Sequence, residues 1–338
     1  MRLTRRHFTT TALAAGALAP AAARAESANT ILNVSFDPTA SLYADFDKVF
    51  AAYWASQNGG AAPTINYSHG GSGAQARAVI EGLQADVVTL GLAYDIDAIA
   101  KAGLLSKDWQ KRLPDNSTPY SSTIVFLVRA GNPKGIKDWG DLVKPGIQIV
   151  APNPKTSGGA RWNVLAAYAW ALKHHGNSAD AAKAYLKTFF AQVPVLDTGA
   201  HGSTLTFTKR NIGDVLVGWE SDALLSISQA GPGKFELIYP SLSILAEPPV
   251  AIVDKNVDKH GTRALATAYV NYLYTPTGQD VIGRNFYRPH DPVALAKYAA
   301  QFPTIPLVTI KDFGGWAKTQ PEFFGDGGIY DQVTGSSL

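Results

Sequence analysis

Leu42, Phe46, Val49, Phe50, Tyr53 and Trp54 recur at the spacing of one helical face. Just before them, residues 31–36 form an almost unbroken apolar run that Asp37-Pro38-Thr39 interrupts, the pattern of a buried strand stopped by a turn. A second strand is expected over 64–68, then a helix carrying Val79, Ile80 and Leu83, then a third strand over 86–90. Strand, helix, strand, helix, strand in this order predicts a parallel sheet with helices on its faces.

The alternation then starts again. Residues 122–128, STIVFLV, make a strongly apolar strand ended by Gly131-Asn132-Pro133. Further strands are expected at 147–151, 195–196, 214–219, 235–239 and 249–253, with helices near 160–174 and 182–192. Beyond that the pattern is mostly helical, most clearly over 264–273. The economical reading is an α/β chain of two lobes, each a mostly parallel sheet flanked by helices, joined by two crossing strands with a ligand cleft between. One lobe takes residues 26–121 together with about 250–338, so that the C-terminal helices return to it, and the other takes about 122–249. The length of 338 residues agrees, since single cores stop growing before that size.

Composition narrows the partners. The chain is 46% hydrophobic and 17% charged, with a formal net charge of +3. That charge is too small, and its Lys and Arg too scattered, to favour nucleic acid or an anionic membrane. The first 25 residues read as a cleavable export signal: Arg2, Arg5 and Arg6, a short apolar run over 11–19, and an A-x-A site ending at Ala25. Thr4-Arg5-Arg6-His7-Phe8 is similar to a twin-arginine signal; an ordinary Sec signal carrying two arginines is the alternative. A periplasmic location follows from either. The sequence has no cysteine, which removes disulfides, thiolate metal sites and a lipidated cysteine after the signal. The histidines, His174-His175 included, show no metal-ligand spacing, so neither metal nor cofactor is expected.

The candidate chemistry sits in three bare turns. Gly71-Ser72-Gly73-Ala74-Gln75-Ala76 follows the second strand, Ser157-Gly158-Gly159-Ala160 opens the helix near 160–174, and Gly199-Ala200-His201-Gly202-Ser203 follows the strand at 195–196. The first N–H groups of a helix have no intrahelical partner, and the dipole makes that end partly positive. Glycine lets a ligand approach such backbone closely, and serine adds a hydroxyl. Converging helix starts therefore form a donor cage for a small oxyanion without a formal cation. Trp219 ends the strand at 214–219, and its indole N–H, a donor only, is a further candidate.

Sulfate, fully ionised, offers only acceptors and suits such a cage; phosphate keeps a proton and wants a carboxylate to receive it. The three turns contain one acidic residue, Asp197, placed before its turn, so sulfate is favoured unless a carboxylate folds in from elsewhere. Two rivals compete. The turn at 71–76 fits the dinucleotide fingerprint, with Asp95 at the distance of a ribose acid, so an exported NAD(P)-dependent oxidoreductase is one. A hydrolase built on Ser157 is weaker, because no G-x-S-x-G surrounds it.

The stretches NVSFDPTASLY, SHGGSG, ADVVTLGLAYDIDAIA, RLPDNSTPYSSTIVFLVRAGNPK, PNPKTSGGARWN, TGAHGST, GDVLVGWE and FGGW span the chain. In these it resembles the periplasmic sulfate-binding proteins of ABC importers, with their thiosulfate-binding relatives close behind. The resemblance implies a type II periplasmic binding protein, a monomer that is not an enzyme, closes on sulfate or thiosulfate by hinge motion and hands it to a membrane-embedded ABC permease. Carried over by motif, the ligand contacts are the N–H of Ser72, the hydroxyl of Ser157, the N–H groups of Gly158, Gly159 and Ala200, and the indole of Trp219. One position departs: relatives commonly read GARGST where this chain has GAHGST, which places His201 at an arginine position and weakens any pairing there with Asp37 or Asp95.

Overall fold

The computed structural model describes residues 29–335. The export signal expected over the first 25 residues lies outside them.

The first lobe is laid down as expected: β1 (Thr30–Phe36), α1 (Ala40–Gln57), β2 (Thr64–Gly70), α2 (Ser72–Ile80), β3 (Val87–Thr89) and α3 (Ala93–Lys101). β1 pairs in parallel with both β2 and β3. Ile31 of β1, with Leu42, Tyr43, Phe46 and Phe50 of α1, belongs to one core.

The second lobe contains β4 (Ile124–Arg129), β5 (Ile149–Pro152), α4 (Gly158–His174), α5 (Ala179–Ala191), β6 (Leu196–Asp197), α6 (Ala200–Thr208), β7 (Val215–Trp219), α7 (Glu220–Ala230) and β8 (Phe235–Ile238). The sheet order is β6, β5, β7, β4, β8. β5 is parallel to its neighbours β6 and β7, whereas β4, the strand that arrives from the first lobe, runs antiparallel to β7 and β8. α4 packs into the largest core along nearly its whole length, which explains why its sequence is apolar all round rather than striped.

The chain passes from the first lobe to the second at Ser122 and back at Ala246, and these two crossings hold each other; a third, near residue 307, pairs Leu307 and Val308 with Ser243 and Ile244. Ser122 and Ala246 exchange backbone hydrogen bonds of 2.9 and 3.0 Å. The hydroxyl of the fully buried Thr123 lies 2.8 Å from Ser243 Oγ and 2.9 Å from the Ile244 carbonyl oxygen and shares its one hydrogen between them. Paired crossings of this kind can act as a hinge.

After the second crossing, β9 (Val250–Ile252) joins the first sheet antiparallel to β3. α8 (Asp254–His260), α9 (Arg263–Tyr272) and α10 (Pro276–Arg284) follow. Leu265, Tyr269, Val270, Val281 and Ile282 fill the first-lobe core. The assignment of everything up to 338 to that lobe needs correction. From about residue 307 the chain lies against the second lobe: Trp316, Phe323, Phe324, Ile329, Tyr330 and Val333 belong to the core built around α4 and α5. Rings of Tyr168 and Phe323 meet at 5.0 Å, those of Phe190 and Tyr330 at 5.1 Å. Lys155, 6% exposed Asp331 and the short helix α11 (Ile329–Thr334) clamp this return through a 2.8 Å ion pair.

Candidate functional site

The bare turns meet between the lobes. α2 starts at Ser72 after an extended Gly71, α4 at Gly158 after Ser157, and α6 at Ala200 after an extended Gly199. A Cβ placed on Gly158 would stand 3.0 Å from the Cβ of Ser72, and one on Gly71 would stand 2.9 Å from the Thr156 carbonyl oxygen. These approaches, made from opposite lobes, are what the glycines permit.

The donors are free where a cage needs them. In α2 the first internal helix bond is donated by Gln75 to Gly71, and in α6 by Ser203 to Gly199. The N–H groups of Ser72 and Ala200 precede these and have no helical acceptor. Ser157 spends its own N–H on the Asn153 carbonyl at 2.8 Å, while its Oγ accepts from Ala160 N–H at 3.3 Å. Its hydroxyl hydrogen is left to be donated. Ser72 is the reverse: its hydroxyl donates to Asp95 Oδ2 at 2.5 Å and accepts from Gly91 N–H at 3.0 Å, so its main-chain N–H is the group available.

Trp219 lies beside the start of α4. It is 1% exposed, and its indole nitrogen is buried without any hydrogen-bond partner. A buried N–H left unpaired costs about 1–3 kcal/mol, so its orientation calls for an acceptor. The nitrogen points at the start of α4: a Cβ on Gly159 would lie 2.3 Å from it. Phe36 of the first lobe packs on its ring at 5.5 Å. Gly159, Ala200 and Trp219 line one small cavity, and Gly158, next to Gly159, meets Ser72 of the other lobe.

Formal cations stay outside. Arg161, on α4, meets Asp95 of the first lobe at 3.4 Å and donates to the Pro154 carbonyl at 3.0 Å, with both side chains of the ion pair buried. Burial pulls the Asp95 carboxyl upward from the usual carboxylate range, opposed by the Arg161 charge and the Ser72 hydroxyl. Trp162, also on α4, donates from its indole to the Gly91 carbonyl at 3.0 Å, and Arg288 forks onto the fully buried Glu220 with two bonds of 2.7 Å. Arg161, Trp162 and Glu220 belong to the second lobe and their partners to the first, so the lobes are closed on each other.

Two sequence expectations change here. Asp95 does not face residue 201; its partners are Arg161 and Ser72, and it is Asp37 that lies within electrostatic reach of His201. The dinucleotide reading also falls, because Asp95 is buried in that ion pair and Gly71 packs against the Thr156 carbonyl. Asp197 bonds Thr206 at 3.1 Å. The carboxylate that does fold in is Asp222, in the first turn of α7, which lines a small cavity with Gly159, Ala200 and Trp219. Sequence spacing gave no sign of it, since nothing in WESDA distinguishes an inward acid from a surface one; the same is true of Arg161. Among the described residues no group of His, Asp and Glu could hold a metal ion, and no helix is long and apolar enough to cross a membrane.

Comparison with known proteins places this geometry. The family model described as bacterial extracellular solute-binding protein matches residues 39–288. The chain is 55% identical over 305 residues to a sulfate-binding protein of Salmonella typhimurium, covering 90% of this chain and 92% of that one. It is 48% identical over 331 residues to a thiosulfate-binding protein of Pseudomonas aeruginosa, covering 97% and 98%. Among solved structures, the sulfate-binding protein SubI of Mycobacterium tuberculosis superposes with a TM-score of 0.79 at 32% identity, over 88% of this chain and 99% of that one.

Proposed function

The chain belongs to the bacterial extracellular solute-binding proteins, with the two-lobed type II periplasmic binding fold, and from that premise we propose that it captures sulfate for an ABC importer. Six donors hold the dianion: the N–H groups of Ser72, Gly158, Gly159 and Ala200, the Ser157 hydroxyl and the Trp219 indole. The observation that carries this reading is the indole nitrogen of Trp219, buried, unpaired and aimed at the glycine start of α4. An acceptor-only guest supplies what it lacks.

The energetics suffice. Charge-assisted hydrogen bonds of about 1.5–3 kcal/mol each give roughly 9–18 kcal/mol gross from six donors. Micromolar affinity needs about 8 kcal/mol, which leaves a margin for ordering and closure. Because the donors come from both lobes, the anion favours the closed form, the form a membrane permease would recognise. The protein acts without catalysis, as a monomer in the periplasm, after removal of its signal near Ala25 by either export route.

Isothermal titration with sulfate, thiosulfate and phosphate tests this. Micromolar or tighter sulfate binding with no phosphate signal is expected. Tighter thiosulfate than sulfate would move the protein to the thiosulfate-binding branch, and silence with both would end the reading.

A further inference from the structure

The first sheet ends in a recess. Its strand order is β9, β3, β1, β2, so β9 has no strand on its outer side. Leu90 donates to the Pro249 carbonyl at 3.1 Å and Val253 to the Asp86 carbonyl at 2.9 Å. In an antiparallel ladder these bonds make Thr89 with Val250, and Val87 with Ile252, the pairs that exchange no bonds of their own. The N–H and C=O groups of Val250 and Ile252 therefore turn away from β3, and no group among the described residues bonds them. Val250 is nonetheless fully buried. Rather than lying on the surface, the outer edge of β9 lines a slot of about 240 Å³ whose walls are residues of the segment 109–113 and of α9.

We propose that this slot binds an extended peptide segment of another protein, which adds a strand to β9 and sets a carboxylate against Arg112. An antiparallel guest would exchange two main-chain bonds with Val250 and two with Ile252. Open strand edges invite sheet-to-sheet association and are usually blunted by charge or proline. Here the recess itself restricts access, since it admits one chain and not the edge of a second sheet. No residue of the slot belongs to the candidate anion site, so peptide and anion occupy separate places.

The chemistry of the guest follows from strand alternation. Val250 and Ile252 share a core with Leu113 and Val270, whereas Ala251 shares one with Trp109. Guest residues opposite Val250 and Ile252 face Leu113 and Val270, which calls for apolar side chains at alternate positions. Two charged residues line the slot, Arg112 and Arg263, and no acid among the described residues does. Asp254, outside the lining, holds both guanidinium groups, taking Arg112 Nη1 at 2.8 Å and Arg263 Nη1 at 2.9 Å, while Asp258 takes Arg263 Nε at 2.6 Å. Nε and Nη2 of Arg112 have no partner among the described residues, and such a fork fits a carboxylate end-on. A lipid or a free anion could use the arginine but would leave the strand edge unmatched.

Random heptapeptides displayed on phage, panned on the mature protein and counter-selected on its Thr267→Trp variant, test this. Thr267 is an exposed residue of α9 that lines the slot, so the indole should fill the slot without unfolding the lobe; Asn271→Trp, one turn further on, serves the same purpose, and an unchanged melting temperature checks either. Enriched peptides should share apolar residues at alternate positions and an aspartate or glutamate. A synthetic copy of the enriched sequence should bind the parent in calorimetry and bind Arg112→Gln at least about tenfold more weakly, with a smaller dependence on salt. Methylating its main-chain nitrogens one at a time should cost at least about tenfold at every second residue and little between them, the pattern of strand pairing. No enrichment over both variants overturns the inference, as do basic consensus sequences or binding that tolerates methylation at every nitrogen. A concentration-dependent dimer of the parent that Thr267→Trp abolishes would assign the slot to a second copy of the chain and overturn it as well.

Discussion

The α-carbon of Gly159 faces the indole nitrogen of Trp219 so closely that a methyl group at 159 would stand 2.3 Å from it. A helix start and a buried donor from the end of a neighbouring strand thus share one small volume, and two substitutions probe it from opposite sides. Gly159→Ala inserts a methyl where the anion and the indole meet, and should weaken sulfate binding by at least about a hundredfold while the thermal transition stays cooperative. Trp219→Phe keeps an aromatic ring against Phe36 but deletes the donor. A lost bond to a charged partner is worth about 1.5–3 kcal/mol, so its dissociation constant should rise roughly tenfold to a hundredfold in calorimetry.

Ser157→Ala separates two roles of one hydroxyl. As the cap of α4 it accepts from Ala160, and removal of such a cap costs about 1 kcal/mol of stability. As a ligand donor its loss should raise the dissociation constant roughly tenfold or more. Ser157→Thr should restore the melting temperature fully and the affinity in part.

The Arg161–Asp95 pair ties α4 to the first lobe, so its cost should appear in closure. Asp95→Asn leaves the guanidinium buried in the closed form without its counter-charge, a penalty of about 3–5 kcal/mol when uncompensated. In a form with the lobes parted, solvent would reach both groups. Sulfate affinity should therefore fall by more than tenfold while the melting temperature of the ligand-free protein moves by only a few degrees. Equal losses in both measurements would place the pair's role in folding alone.

Asp47 gives a pH test of stability unconnected with the cleft. On α1, burial pushes its carboxyl up to about 7, although the Tyr269 hydroxyl donates to it at 2.7 Å, and its second oxygen has no partner. A raised carboxyl favours the folded state at low pH, and that contribution is lost as pH rises through about 7. Asp47→Asn keeps an acceptor for Tyr269 and removes the buried charge. Denaturant unfolding should show the variant about 1–3 kcal/mol more stable than the parent at pH 8 and close to it at pH 5.

The three turns of the candidate site were legible because their chemistry is backbone chemistry. Helix starts announce themselves by glycine and serine after a strand, and the turns at 71–76, 157–160 and 199–203 needed no knowledge of which lobe each came from. Boundaries were less so: the helix expected from about 160 begins at Gly158, since a pair of glycines reads as loop until tertiary packing fixes it. Contacts set by lobe closure left no trace in local pattern, which is why Asp37 and Asp95 could not be told apart as neighbours of residue 201 and why Asp222 and Arg161 were missed. Asp115, Asn116 and Ser117, three successive residues at φ of 52°, 57° and 63°, are equally silent in RLPDNSTPYSS; left-handed backbone is usually marked by glycine. The return of the C-terminal segment to the second lobe rests on Trp316, Phe323 and Tyr330, whose aromatic spacing says that they are buried but not where.

The most direct test of the donor cage is anomalous diffraction from crystals grown with selenate, a dianion of the same shape and charge as sulfate. A single strong peak is predicted between the lobes, its oxygens within hydrogen-bonding distance of the N–H groups of Ser72, Gly158, Gly159 and Ala200, the Ser157 hydroxyl and the Trp219 indole. A peak elsewhere, with that indole nitrogen still unpaired, would contradict the account.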